Sequence, residues 1–211
     1  MTANLISLLL NAVTVLWTVV AVWTSLFRNE KGIEKKFPNT KTFRYFTTDS
    51  NILAAVSALC VLPFSLKALS GGTLLLPGWV HALKLVGTTA VTVTFLTVVL
   101  FLGPAGGYRK LLSGHGFYLH LLSAVFTLVS FCFCENTHAL TLSEAFLGMI
   151  PTAVYGILYL VMVIFIGPEK GGWEDFYGYN RGGKWYVSFV AMFAGTAAIC
   201  VLIRLVHNLG V

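Results

Sequence analysis

Three segments of this sequence set a hydroxyl or an imidazole directly after aromatic residues: Phe43-Arg44-Tyr45-Phe46-Thr47, Phe117-Tyr118-Leu119-His120 and Trp185-Tyr186-Val187-Ser188. Such side chains are the parts of an acyl-transfer site. An alkyl hydroxyl is a poor nucleophile near neutral pH and needs an adjacent base. Imidazole is the usual one, because its unperturbed pKa of about 6.5 leaves it largely able to accept a proton. The run Thr47-Thr48-Asp49-Ser50-Asn51 adds a carboxylate to orient the imidazole. Its Asn51 amide could join the first helical N–H groups around an oxyanion. Beyond His120, the residues Ser123, Thr127, Ser130 and Cys134 recur at helical spacing and give its face a polar lining.

Each feature also has a structural reading. Thr47 or Thr48 fits an N-cap, with Ser50 or Asn51 at the capping-box position and Asp49 facing the helix dipole. That covers one or two of the five polar residues, not the cluster. His120 equally fits a structural imidazole bonded to a backbone carbonyl. The other histidines, His81, His115, His138 and His207, fall in loops or at helix ends, where a solvated role is the default.

The elements that must carry these residues follow from composition. Of 211 residues, 57% are hydrophobic and only 10% charged, against about a quarter charged in a soluble domain. This excludes a soluble enzyme, a disordered chain and a nucleic-acid-binding module. Six apolar runs, at about 5–27, 48–69, 83–103, 117–134, 145–166 and 185–206, each match the length of a membrane-spanning helix. The expected fold is all-α: a polytopic integral membrane protein whose residues 1–211 form one bundle of six transmembrane helices. The first run lacks a basic leader and a small-x-small cleavage site, so it reads as a retained helix. Threonines in the first and third runs read as packing residues that bond the carbonyl one turn back.

Loop charges set the orientation. The loops after helices 1, 3 and 5 hold Arg28, Lys31, Lys35, Lys36, Lys41, Arg44, Arg109, Lys110, Lys170, Arg181 and Lys184, whereas the other side holds only Lys67, Lys84 and Arg204. The net charge of +6 is thus distributed to one face. That face is expected in the cytoplasm, with both termini outside. Cys60, Cys132, Cys134 and Cys200 lie within or at the end of apolar runs, with no disulfide framework or metal-ligand spacing around them. No metal or cofactor is indicated. Helices 3 and 5 both end in Gly-Pro, at Gly103-Pro104 and Gly167-Pro168, a faint internal echo that ordinary helix termination explains.

Helices 2, 4 and 6 all enter from the basic side. At about 1.5 Å per residue, Thr47, His120 and Ser188 each fall a few ångströms below the aromatic belt, near the depth of lipid ester linkages. Here the sequence resembles the androgen-induced and androgen-dependent six-helix membrane proteins and their bacterial relatives. That family is described as intramembrane threonine hydrolases of fatty acid esters of hydroxy fatty acids. Phe43-Arg44-Tyr45-Phe46-Thr47 matches the aromatic or basic stretch ending in Thr at the family's second helix, and His120 matches its His early in the fourth. The resemblance implies that Thr47 is the nucleophile and His120 its catalytic partner. Two departures bear on the substrate. Ala124 and Val125 stand where a proline often follows the helix-4 His, and Trp173-Glu174-Asp175-Phe176-Tyr177-Gly178-Tyr179-Asn180 replaces the animal proteins' Tyr-Pro-Phe-Leu.

The expected activity is therefore serine/threonine-type hydrolysis of a lipid or fatty-acyl ester, with Asp49, Asn51, Ser123 and Ser188 supporting the site or lining the substrate. The competing expectations are a non-catalytic lipid-binding or scaffold protein, which would tolerate loss of Thr47, and a small transporter. The absence of a charged residue at any helix centre and the off-centre positions of Pro63 and Pro151 argue against transport.

Overall fold

A computed structural model describes residues 2–28 and 36–211; Lys31 and Lys35 of the first basic loop, and the side chain of Lys110, lie outside the described residues. The described chain is all helical, with six helices long and apolar enough to cross a membrane: α1 Thr2–Phe27, α2 Phe46–Leu69, α3 Gly78–Gly106, α4 His115–Cys134, α5 Leu142–Ile166 and α6 Trp185–Asn208. With an even number of spans, both termini share one end of the bundle. The turns into α2, α4 and α6 share the other.

Several helices start before their apolar runs, because backbone bonding continues into the interface where polar side chains are tolerated. In α5 the cause is local. Thr141 accepts the Glu144 N–H at 3.2 Å, and Glu144 accepts the Thr141 N–H at 2.8 Å, a complete capping box that starts the helix at Leu142. The expected Thr cap of α2 is not formed. A single 3-10 turn, Thr40–Arg44, delivers the chain to an extended Tyr45, and the helix begins at Phe46 without a side-chain cap.

The bundle carries its polar residues inward. The buried residues of α1 are Ser7, Asn11, Thr14, Thr18 and Ala21, one helical stripe, while Leu9, Leu16, Trp17, Val20 and Trp23 face outward. This follows from lipid as solvent: apolar side chains gain nothing by leaving it, so small and hydroxyl-bearing residues mediate helix contact. Helix α3 is central, with 56% of its most apolar window buried, against 17–44% for the others. A Cβ on Gly87 of α3 would stand 2.7 Å from Ser57 Oγ and 3.1 Å from Ala54 Cα, so glycine there permits the close approach of α2.

Candidate functional site

Thr47 is the second residue of α2, and the first turn below it is tied inward. Ser50 Oγ lies 2.8 Å from Thr94 Oγ1 of α3. The Asn51 side chain donates one proton to the Thr47 carbonyl at 2.7 Å and the other to the Leu119 carbonyl of α4 at 2.9 Å.

Leu119 is free to accept because α4 is not α-helical there. Residues Tyr118–Leu122 form a π turn in which the Ser123 N–H bonds back to Tyr118 rather than to Leu119. The Leu119 carbonyl instead receives Asn51 and the Ser123 hydroxyl, the latter at 3.4 Å. Such turns recur at functional sites because they redirect backbone and side chains. His120 sits within this one. Tyr118 anchors the turn to α1 by donating to the Thr14 carbonyl at 3.0 Å and lying 3.2 Å from Thr18 Oγ1. The Asn51 bridge therefore brings the residue next to His120 to within about one helical turn, ~5 Å, of the level of Thr47.

Among the described residues no hydrogen bond joins Thr47 to His120, and His120 Nδ1 is buried without a partner. Asp49 is partly buried, and its carboxylate makes no hydrogen bond or ion pair with another described residue. Ser123 is fully buried beside the π turn. The Ser188 hydroxyl makes no hydrogen bond to these residues; α6 packs on α3, α5 and the far end of α4, and its Trp185 and Phe189 pack with the aromatic cluster around Tyr177.

The sequence did not reveal the loop residue that reaches the site. Tyr177, from the loop between α5 and α6, accepts the Phe46 N–H on its phenol oxygen at 3.1 Å, which sets the phenol beside Thr47. Enclosure of this phenol pushes its pKa from 10.0 up to about 12, so it stays protonated. The loop is stiffly held. Asp175 accepts the Tyr179 N–H at 2.7 Å, the Asn180 N–H at 2.8 Å and the Tyr159 hydroxyl at 3.0 Å, while the Tyr177 N–H donates to Tyr159 at 3.1 Å. Phe176 packs on Tyr45 with ring centroids 4.6 Å apart, and the Tyr155 hydroxyl donates to the Arg44 carbonyl at 2.6 Å. The Asp three residues before Gly178 was the available signal for a turn, but its target was not.

The expected oxyanion donors are already engaged. The Thr48 and Asp49 N–H groups bond to the Tyr45 carbonyl at 3.0 and 3.4 Å, the Phe46 N–H bonds to Tyr177, and both Asn51 amide protons are committed.

At the opposite end the structure corrects two further expectations. Lys84 is not a loop charge: it is fully buried in α3, 3.8 Å from an equally buried Glu135 at the end of α4. Lys84 Nζ also donates to Asn11 Oδ1, and Glu135 accepts Asn11 Nδ2 at 2.6 Å and Ser7 Oγ at 2.9 Å. A charge so placed persists only with a partner and hydrogen bonds. His81 and His207 are buried, not solvated. His207 spans the Phe131 and His138 carbonyls, 3.1 Å from each, and the His81 ring lies 4.1 Å from that of His138. A cavity of about 20 Å³ between His81, His138 and Glu144 has room for one water. No group of three His, Cys, Asp or Glu among the described residues converges to hold a metal ion. The four cysteines are free, two buried and two partly so. Comparison with family models, curated proteins and solved structures gives no match to this chain.

Proposed function

We propose that the chain is an intramembrane lipid-ester hydrolase in which Thr47 is the nucleophile and His120 the base, as its resemblance to the androgen-induced six-helix hydrolases implies. His120 takes the Thr47 proton while Thr47 Oγ1 bonds to the ester carbonyl carbon, and the carbonyl electron pair moves onto its oxygen. Collapse of that intermediate expels the alcohol oxygen, which His120 protonates, and leaves acyl-Thr47. Water, deprotonated by His120, then releases the fatty acid and restores the threonine. The substrate class is a fatty-acyl ester reaching the site from the bilayer. By the distribution of basic residues, this end of the bundle faces the cytoplasm.

The observation that supports the reading is the Asn51 bridge, which ties the Thr47 turn to the π turn holding His120 with a free Nδ1. The test is hydrolysis of a long-chain p-nitrophenyl ester and fluorophosphonate labelling by the wild type, Thr47→Ala and His120→Ala in detergent. Activity and labelling are expected in the wild type alone. A Thr47→Ala protein as active as wild type would overturn the assignment and favour the scaffold reading.

A second reading, a small transporter, gains from the Lys84–Glu135 pair, because an intramembrane charge pair is a common element of ion and proton pathways. A pH-sensitive dye in proteoliposomes tests it: flux in the wild type that is lost in Glu135→Gln would support transport.

A further inference from the structure

A nucleophile alone does not complete an acyl-transfer site, since the carbonyl oxygen becomes charged when it is attacked and needs a donor already in place. At the first turn of α2 three of the amides that could serve are occupied: Thr48 and Asp49 by Tyr45, and Phe46 by Tyr177. The Asn51 amide is likewise spent on two carbonyls. The Tyr177 O–H group stands beside this turn. We propose that the Tyr177 hydroxyl is the donor that holds the acyl oxygen when Thr47 attacks, an inference that rests on the hydrolase reading above.

The geometry supports it in three ways. The phenol oxygen lies 3.1 Å from the nitrogen of Phe46, the residue before Thr47, and the developing oxyanion is bonded to the same carbon as Thr47 Oγ1, so the phenol is placed beside the reacting group. Because that oxygen accepts the Phe46 N–H, its proton is polarised by the end of α2 and carries the helix field to the acyl group. Finally, the Asp175 turn and the aromatic packing hold the ring where it is. A bond from the phenol to an oxyanion is charge-assisted, and such bonds are about twice as strong as neutral ones. No covalent bond to Tyr177 forms; its proton is shared and then retained as the carbonyl re-forms.

Tyr177→Phe in the full-length protein keeps the ring and removes the donor. The expected result is a fall in kcat of about a hundredfold to a thousandfold with little change in KM, the magnitude seen for loss of one oxyanion donor. Because Tyr177→Phe also strips the Phe46 N–H of its acceptor, 3,5-difluorotyrosine at position 177 supplies the second measurement. Its more acidic phenol keeps the packing, and an alkaline limb should enter the pH–rate profile as it ionises. Wild-type kcat in Tyr177→Phe, or a difluorotyrosine protein without that limb, would overturn the inference and leave the hydrolase reading standing. A wild type that neither hydrolyses esters nor labels would remove both.

Discussion

The Asn51 side-chain amide donates to the Leu119 carbonyl at 2.9 Å, joining α2 to the π turn of α4 that carries His120. Asn51 is wholly buried, and the Leu119 carbonyl, passed over by the Ser123 backbone N–H, has beside Asn51 only the longer bond from the Ser123 hydroxyl at 3.4 Å. Asn51→Ala should therefore cost about 1–3 kcal/mol, the usual range for orphaning a buried polar group. It should also lower ester hydrolysis at least tenfold, because the Thr47 turn would no longer be fixed against α4. Thermal melts and rates in the same detergent check both. Asn51→Asp, which cannot donate when ionised, should behave no better than Ala.

Lys84 and Glu135 give a prediction of a different kind. Removing either partner alone, as in Lys84→Met or Glu135→Leu, leaves one charge uncompensated inside the bundle and should destabilise the protein by about 3–5 kcal/mol. The double variant should recover most of that loss, since paired apolar replacements of buried ion pairs are often close to neutral. A double-variant melt no higher than that of the worse single variant would show that Asn11 and Ser7 hold the two charges separately.

Asp175 tests the support of the loop. Asp175→Ala removes the acceptor of two N–H groups and of the Tyr159 hydroxyl. Limited proteolysis should then cut between α5 and α6, where the wild type resists, and ester hydrolysis should fall with Tyr177 no longer fixed. Retained protease resistance would show that aromatic packing holds the loop without Asp175.

Tyr177 and Tyr179 set an alkaline limit. Burial raises both phenols from 10.0 to about 12 in the folded chain. Above pH 10 the unfolded chain loses these protons and the folded one keeps them, so the folded state binds more protons and stability falls as pH rises. The loss should begin near pH 10 and level off near pH 12, and Tyr179→Phe should flatten it. Melting temperature against pH, read with tyrosine absorbance, follows both events.

The six helices were legible because lipid admits few other solutions for apolar runs of that length. The polar entry to α2 was legible as well, since hydroxyl, carboxylate and amide within five residues are rare in such a chain. What the sequence concealed depends on tertiary contact. Lys84 stands near a helix start and counts there as an interfacial charge; only the arrival of Glu135 and Asn11 makes it an interior one. His81 and His207 were concealed for the same reason. Tyr177 lies far along the chain from Thr47, in a segment that reads as an aromatic loop until the Asp175 turn is known. The start of α2 was misplaced because the 3-10 turn supplies the entry that a Thr cap would otherwise make.

The inward polar stripe of α1 also constrains how the protein is made. Ser7 and Asn11 bond Glu135, and Asn11 accepts Lys84. Synthesis therefore puts the Lys84 ammonium, with Asn11 to accept it, into the bundle before the Glu135 carboxylate exists. A charge in lipid is stabilised by a partner, so α1 and α3 gain from staying together until the end of α4 brings Glu135 and completes the network.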